Sequence, residues 1–232
     1  METVGGLKVL FDTGPGTMRR LVEAGHSIFD IDAVCYSHFH PDHTGELVPF
    51  LFANKRPDIK GRQKPLTLVG GKGFRFFYGG LTSVYGPWME PRPGKIELVE
   101  MATDRFDETA LSGLWLKTAP VCHKPESVAY RLQSAGGRSA VYSGDTDFSE
   151  NLISLSKGAD LLVCESALPD ALKTKGHLTP SLAGEIAARA DVRHLVLTHF
   201  YPQCEKVDIA KECRRTYTGT LTLAEDLLTL RP

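Results

Sequence analysis

Short apolar runs alternate with polar turns along this chain, and their spacing changes with position. Residues 7–11 form a short β-rich run. It closes on Asp12-Thr13-Gly14-Pro15-Gly16, a turn after which Thr17 is placed to cap a helix to about residue 24. Residues 33–37 are a second β-rich run. From 44 to 54 the spacing becomes helical, with Leu47, Val48, Leu51 and Phe52 on one face. Residues 65–70 read as a strand, and Gly70-Gly71-Lys72-Gly73 as a turn before a helix. Residues 95–101 and 111–119 predict two strands, with the acidic stretch 103–108 as a solvent loop between them. Strands at 127–133 and 138–143 pair across a Gly136-Gly137 hairpin turn. A helix to about 157 and a buried strand at 160–164 follow. Next come a helix capped by Thr179 or Ser181 and running through 190, then a strand at 193–198. A last helix and a short terminal strand pair close the chain. Strands in series, then strands alternating with helices, predict a layered α/β protein. No internal repeat and no long linker divides the sequence, so residues 1–232 read as one domain.

Composition narrows the function classes. The formal net charge of −1 excludes a strongly basic surface for bulk nucleic-acid binding. No apolar run approaches the roughly 18 residues needed to cross a bilayer, and no charged-then-apolar signal segment opens the chain. The five cysteines are scattered without a C-x-x-C pair, which points to a reducing, cytoplasmic setting with cysteines as small core residues. Lys55, Arg56, Lys60, Arg62, Lys64, Lys72 and Arg75 face only Asp58 in a locally basic run. It reads first as a solvated face and second as an anion-binding rim. Gly70-Gly71-Lys72-Gly73 lacks the spacing of a phosphate-binding Walker loop. The aromatics Phe74, Phe76, Phe77, Tyr78, Tyr85 and Trp88 are core by default, with Tyr85-Gly86-Pro87-Trp88 the stretch able to wall a pocket.

The densest chemistry is Ser37-His38-Phe39-His40-Pro41-Asp42-His43-Thr44. Alternation in an extended segment puts His38 and His40 on one face. Pro41 then bends the chain and presents Asp42 and His43 from another direction. One loop can therefore serve two adjacent metals, two imidazoles for one and a carboxylate plus imidazole for the other. His123, Asp145 and His199 each end or follow a further strand, and strand ends along one sheet edge converge. A carboxylate such as Asp145 can bridge two divalent ions, and water shared by two ions is acidified to a nucleophile at neutral pH. Imidazole and carboxylate without thiolate favour zinc, with manganese or iron(II) as alternatives.

These residues resemble the metallo-β-lactamase superfamily, and within it the ribonuclease Z-like phosphodiesterase branch. The resemblance rests on His38-x-His40-x-Asp42-His43, His123, Ser-Gly-Asp145-Thr and Leu-Thr-His199-Phe. Leu-Phe-Asp12-Thr-Gly-Pro-Gly, Cys-Glu165-Ser and Gly-His177-Leu-Thr are similar to that branch's other motifs, and together they cover residues 7 to about 203. The resemblance implies a four-layer αββα sandwich with a dinuclear metal site. It assigns His38, His40, His123 and Asp145 to one metal, and Asp42, His43, Asp145 and His199 to the other. Asp42 is also implied in proton transfer, and Glu165 and His177 in acting together at the scissile phosphate. Asp12, at a strand end before a turn, reads first as a cap or turn carboxylate and then as a residue that orients the ligand loop. The implied activity is hydrolysis of a small or cyclic phosphodiester or RNA by a metal-bridging hydroxide. Ester, thioester or lactone hydrolysis is the alternative, and a non-catalytic metal-binding module the third reading. A homodimer is common in the branch. Two features depart from it. Only 22 positions separate His123 from Asp145, and two strands with their hairpin fill them, so the arm that grips tRNA has no room there. The run at 7–11 also corresponds to the branch's second strand, which implies a shortened N terminus or an uncovered sheet edge.

Overall fold

The structure is a computed structural model, which describes residues 6–55, 62, 64–89, 94–111 and 113–230. The chain forms two compact units, Met1–Met101 and Ala102–Pro232.

In the first unit, β1 (Val9–Phe11), β2 (Ala33–Tyr36), β3 (Leu66–Gly71) and β4 (Ile96–Met101) form a four-stranded sheet in the order β1-β2-β3-β4. Every neighbouring pair is parallel, with Phe11 opposite Cys35, Cys35 opposite Val69 and Gly70 opposite Glu100. Parallel neighbours need crossover connections. These carry α1 (Thr17–Glu23), α2 (Pro41–Thr44), α3 (Leu47–Ala53) and α4 (Phe74–Tyr85). All four residues of β2 are buried, as a strand inside a parallel sheet requires. The core packs Val34, Tyr36, Leu66 and Leu68 against Leu47, Phe50, Leu51 and Phe74.

The helix expected over 44–54 is instead two helices. Pro41 starts α2 one turn earlier, and α3 begins afresh at Leu47. That start turns Leu47, Phe50 and Leu51 inward and leaves Phe52 53% exposed, correcting the predicted face. The cap expected of Thr17 also fails. Its hydroxyl donates to Gly14 O at 2.8 Å, and the N-cap residue is Gly16 at φ 93°. The open amides of α1 find the Glu46 carboxylate instead, which accepts from Gly16 N at 2.7 Å and Met18 N at 2.6 Å.

The basic run is largely committed within the unit. Arg62 is 1% exposed. It donates to Asn54 Oδ1 at 2.9 Å and to the carbonyls of Ile28 and Ile31 at 3.0 and 2.5 Å, and burial pulls its pKa down to about 10. Lys64 donates to Asp30 O at 2.8 Å and Asp32 Oδ1 at 2.5 Å, and Arg75 donates to Leu98 O. Arg62 is therefore no rim cation. Arg56, Asp58 and Lys60 lie outside the described residues.

The second unit holds β5 (Asp107–Leu111), β6 (Leu114–Pro120), β7 (Val128–Gln133), β8 (Ser139–Tyr142), β9 (Leu161–Glu165), β10 (His194–Thr198) and β11 (Thr220–Leu223), a seven-stranded sheet in the order β11-β10-β9-β8-β7-β6-β5. β5 to β8 are an antiparallel meander, while β8, β9, β10 and β11 are parallel. The parallel steps carry α5 (Glu150–Ser156), α6 (Pro180–Arg189) and α7 (Ile209–Cys213). Part of the expected solvent loop is strand, because Asp107 and Glu108 open β5 opposite Thr118 and Lys117. The terminal pair is a single strand, β11, parallel to β10. Thr179 does stand at the N-cap of α6 without a side-chain bond to it. The Asp170 carboxylate accepts from Ser181 N at 3.1 Å and Ser181 Oγ at 2.8 Å. Four of the five free cysteines are buried, Cys122 being the exposed one. Among the described residues no helix is long and apolar enough to cross a membrane.

Replacing Glu46 with Ala removes both bonds to α1. The expected loss is about 1–2 kcal/mol, or a fall in Tm of about 2–8 °C for a chain of this size. Calorimetry checks it against Glu97→Ala, which should leave Tm unchanged.

Candidate metal centre

In the first unit the histidine loop leaves the end of β2 and is held by Asp12. Asp12 sits at φ 57°, a left-handed conformation that a non-glycine residue rarely adopts. Its Oδ1 accepts from Ser37 N at 2.7 Å, and its Oδ2 accepts from Ser37 Oγ at 2.8 Å and His43 Nδ1 at 2.7 Å. The Ser37 hydroxyl has thus given its one proton to Asp12. His38 Nδ1, 3.0 Å from Ser37 Oγ, must then be the donor in that contact. In both neutral imidazoles the proton is on Nδ1 and the lone pair on Nε2, the tautomer that a metal takes. The His38 ring lies 4.6 Å from that of His40 and 4.2 Å from that of His43. The carboxylate of Asp42, 57% exposed, has Oδ2 at 3.5 Å from His43 Nε2. The loop therefore groups His38 with His40 and Asp42 with His43. It is pressed onto the opening turn by Thr13 N to His43 O at 2.7 Å and Glu46 N to Thr13 O at 2.8 Å. A Cβ on Gly14 would stand 2.0 Å from Asp42 O, which is why only glycine fits there.

In the second unit the strand senses bring the other candidates to one edge. β8, β9 and β10 are parallel, and β6 runs the same way because two antiparallel steps separate it from β8. Their C-terminal ends lead into His123, Asp145, Glu165 and His199. The buried Asp145 has Oδ2 at 3.9 Å from His123 Nε2 and Oδ1 at 3.4 Å from His199 Nε2, one oxygen toward each imidazole. His199 itself is at φ 62°.

His123 Nδ1 donates to Gly176 O at 2.8 Å, so its lone pair is again on Nε2. Gly176 in turn donates from N to Asp147 Oδ2 at 2.9 Å, and Asp147 Oδ1 accepts from Phe148 N and Lys173 Nζ, both at 2.8 Å. Burial works to raise the Asp147 pKa, but the bonds from Lys173, Gly176 and Phe148 outweigh it and hold the carboxyl below its usual range. His177 follows directly. Its Nδ1 is 3.1 Å from Glu165 Oε1 and 3.9 Å from Asp145 Oδ2. Glu165 is buried and also accepts from Thr146 N at 2.9 Å and Ala167 N at 3.1 Å. Burial, with Asp145 nearby, raises its pKa. Glu165, His177 and His199 each offer a ligand atom within 4.8 Å of the others.

The donors are imidazole and carboxylate with three histidines in the metal-ready tautomer, so the residues fit divalent ions of the zinc, manganese or iron(II) kind. Sequence reading missed Ser37, Asp147 and Gly176. Each acts through a hydrogen bond between segments far apart in the chain, which no local pattern marks. In the stretch offered as a pocket wall, Trp88 meets Phe52 edge-on at 5.9 Å and carries Lys55 Nζ at 4.9 Å from its centroid, and Tyr85 is exposed.

A family model described as a beta-lactamase superfamily domain matches residues 8–200. The uncharacterized protein Rv1339 of Mycobacterium tuberculosis is 30% identical over 188 residues, which is 80% of this chain and 68% of that protein. A ribonuclease Z of Streptomyces avermitilis is 29% identical over 271 residues, covering 96% of this chain and 87% of its own. Among solved structures, the metallo-beta-lactamase fold protein YhfI of Bacillus subtilis matches with TM-score 0.79 at 23% identity, covering 97% of this chain and 87% of that one. The short form of human tRNase Z matches at 0.75 and 22%, covering 98% and 89%. A diphosphatase from the PhnP family matches at 0.72 and 22%, covering 99% and 81%. The chain therefore belongs to the β-lactamase superfamily and has the metallo-β-lactamase fold, with ribonuclease Z proteins among its relatives.

Proposed function

We propose that the chain is a dinuclear, metal-dependent phosphodiesterase acting on a small or cyclic phosphodiester or a short RNA. The observation that carries this reading is the Asp145 carboxylate, with one oxygen toward His123 and the other toward His199, beside the Glu165–His177 pair. A carboxylate so placed suits a bridge between two ions. His38, His40, His123 and Asp145 would hold one ion, and Asp42, His43, Asp145 and His199 the other. Zinc is the first choice, by the donor set. When bound, the ions supply Lewis acidity to the phosphoryl oxygens and acidify a water.

The chain's own residues do the rest. Asp12, Ser37 and the Gly176 carbonyl keep three imidazoles in the ligating tautomer. Glu165, fixed by two backbone amides, holds the proton of His177 on Nδ1 and favours the imidazolium. Protonated, His177 presents its Nε2 proton to the leaving oxygen of the diester. Asp42, the exposed carboxylate of the loop, is placed to take up a proton from solvent water. The ribonuclease Z relative and the tRNase Z and diphosphatase neighbours support phosphate-ester chemistry over acyl-ester chemistry. The short span between His123 and Asp145 favours a compact substrate over a tRNA body.

The first test is turnover of bis(p-nitrophenyl) phosphate by metal-analysed protein, with and without zinc or manganese, beside a thioester and nitrocefin. Metal-dependent turnover of the phosphodiester alone is the expected result, and turnover of the thioester alone would overturn the assignment. Replacing Asp145 with Ala should lower bound metal, counted by plasma emission, and abolish turnover together. His177→Ala should keep its metal while kcat falls by about 10²–10⁴-fold. A full rate in that variant would remove His177 from the chemistry.

A further inference from the structure

Four aromatic rings cluster in the second unit. His123 and His177 have centroids 5.0 Å apart, and His177 and His199 stack at 5.7 Å with 12° between their planes. Tyr201 completes a triangle with the last two, 5.5 Å from His199 and 6.0 Å from His177. Exposure differs across the cluster: Tyr201 is 39% exposed, while the side chains of His199, His177 and His123 are 19%, 15% and 7% exposed. The tyrosine is thus the ring that meets solvent directly beside the reacting groups.

Its backbone is fixed on both sides. Tyr201 N donates to Ala167 O at 3.0 Å, and its carbonyl accepts from Cys204 N at 2.9 Å. Cys204 is buried, its Sγ against the carbonyls of Ser166 and Ala167. Ala167 N in turn binds Glu165, so Tyr201 is tied to the frame that holds His177. A large ring on so fixed a backbone, and still exposed, has few torsions to lose when a second ring covers it. A nucleotide places its base one sugar away from its phosphorus, and Tyr201 stands one ring away from His177 and His199. Stacking on an aromatic side chain accepts every base, because each has a π-face.

We propose that Tyr201 is a positioning residue on which the nucleobase beside the scissile phosphate stacks. This rests on the phosphodiesterase reading above and adds a base-binding residue to it. The test compares wild type, Tyr201→Ala and Tyr201→Phe as full-length, metal-loaded protein. The substrates are a dinucleotide and the same phosphodiester without bases. Binding of a nucleoside monophosphate and of ribose 5-phosphate is followed by titration calorimetry. Tyr201→Ala should raise KM for the dinucleotide about 5- to 150-fold, with kcat within about threefold. It should weaken the nucleoside monophosphate to a similar degree. The base-free diester and ribose 5-phosphate should be unaffected, and Tyr201→Phe should match wild type. Equal losses with and without a base would overturn the platform, as would no loss at all, or Tyr201→Phe behaving as Tyr201→Ala. Wild-type protein that turns over no phosphodiester, yet binds the nucleoside monophosphate through Tyr201, would refute the reaction and leave the platform standing. Phosphodiester turnover indifferent to Tyr201 would do the reverse.

Discussion

A histidine can take a metal only through a bare nitrogen, and this chain enforces that condition with oxygen atoms that can only accept. Asp12 faces His43, the hydroxyl of Ser37 faces His38 after giving its proton to Asp12, and the Gly176 carbonyl faces His123. Each contact decides a tautomer and also locks a ring orientation. The rest of each unit is arranged to place these oxygens. The left-handed conformation of Asp12 and the missing side chain of Gly14 let the opening turn lie flat on the histidine loop. The left-handed Gly176 puts its carbonyl against His123, where a Cβ would come within 3.1 Å of Nδ1.

Carboxylates recur as the means of holding loops at a distance. Glu46 caps α1 from another segment, Asp170 does the same for α6, and Asp147 gathers Phe148, Lys173 and Gly176. An acceptor with two oxygens and several lone pairs can join backbone amides from segments that share no ladder. The loops that carry His43 and His177 are therefore set by the fold as a whole, not by the elements beside them. Burial, with Asp145 nearby, raises the pKa of Glu165, while the hydrogen bonds from His177 and Thr146 work the other way.

The same economy shapes how the chain meets a substrate. Arg62 and Lys64 serve the interior of the first unit and its Asp30–Asp32 segment, so they offer no open cationic track. The proposed stacking on Tyr201 would need no large electrostatic footprint.

The histidine motif, the strand ends that carry Asp145 and His199, and the parallel β-α alternation were all legible in the residues. They are so because each is local: ligand spacing, a β-rich run and the turn after it lie within a few positions of one another. The break at Gly45 and Glu46, the capping of α1 by Glu46 instead of Thr17, and the burial of Arg62 were not legible. Nor were the supports from Ser37, Asp147 and Gly176 or the exposed place of Tyr201. Each depends on a partner between 25 and 53 positions away whose approach only the folded backbone brings about. The sequence by itself determined which atoms are able to bind a metal. The tertiary structure decided which nitrogen of His38, His43 and His123 is bare, because the proton on the other nitrogen is held by an oxygen whose position the fold sets.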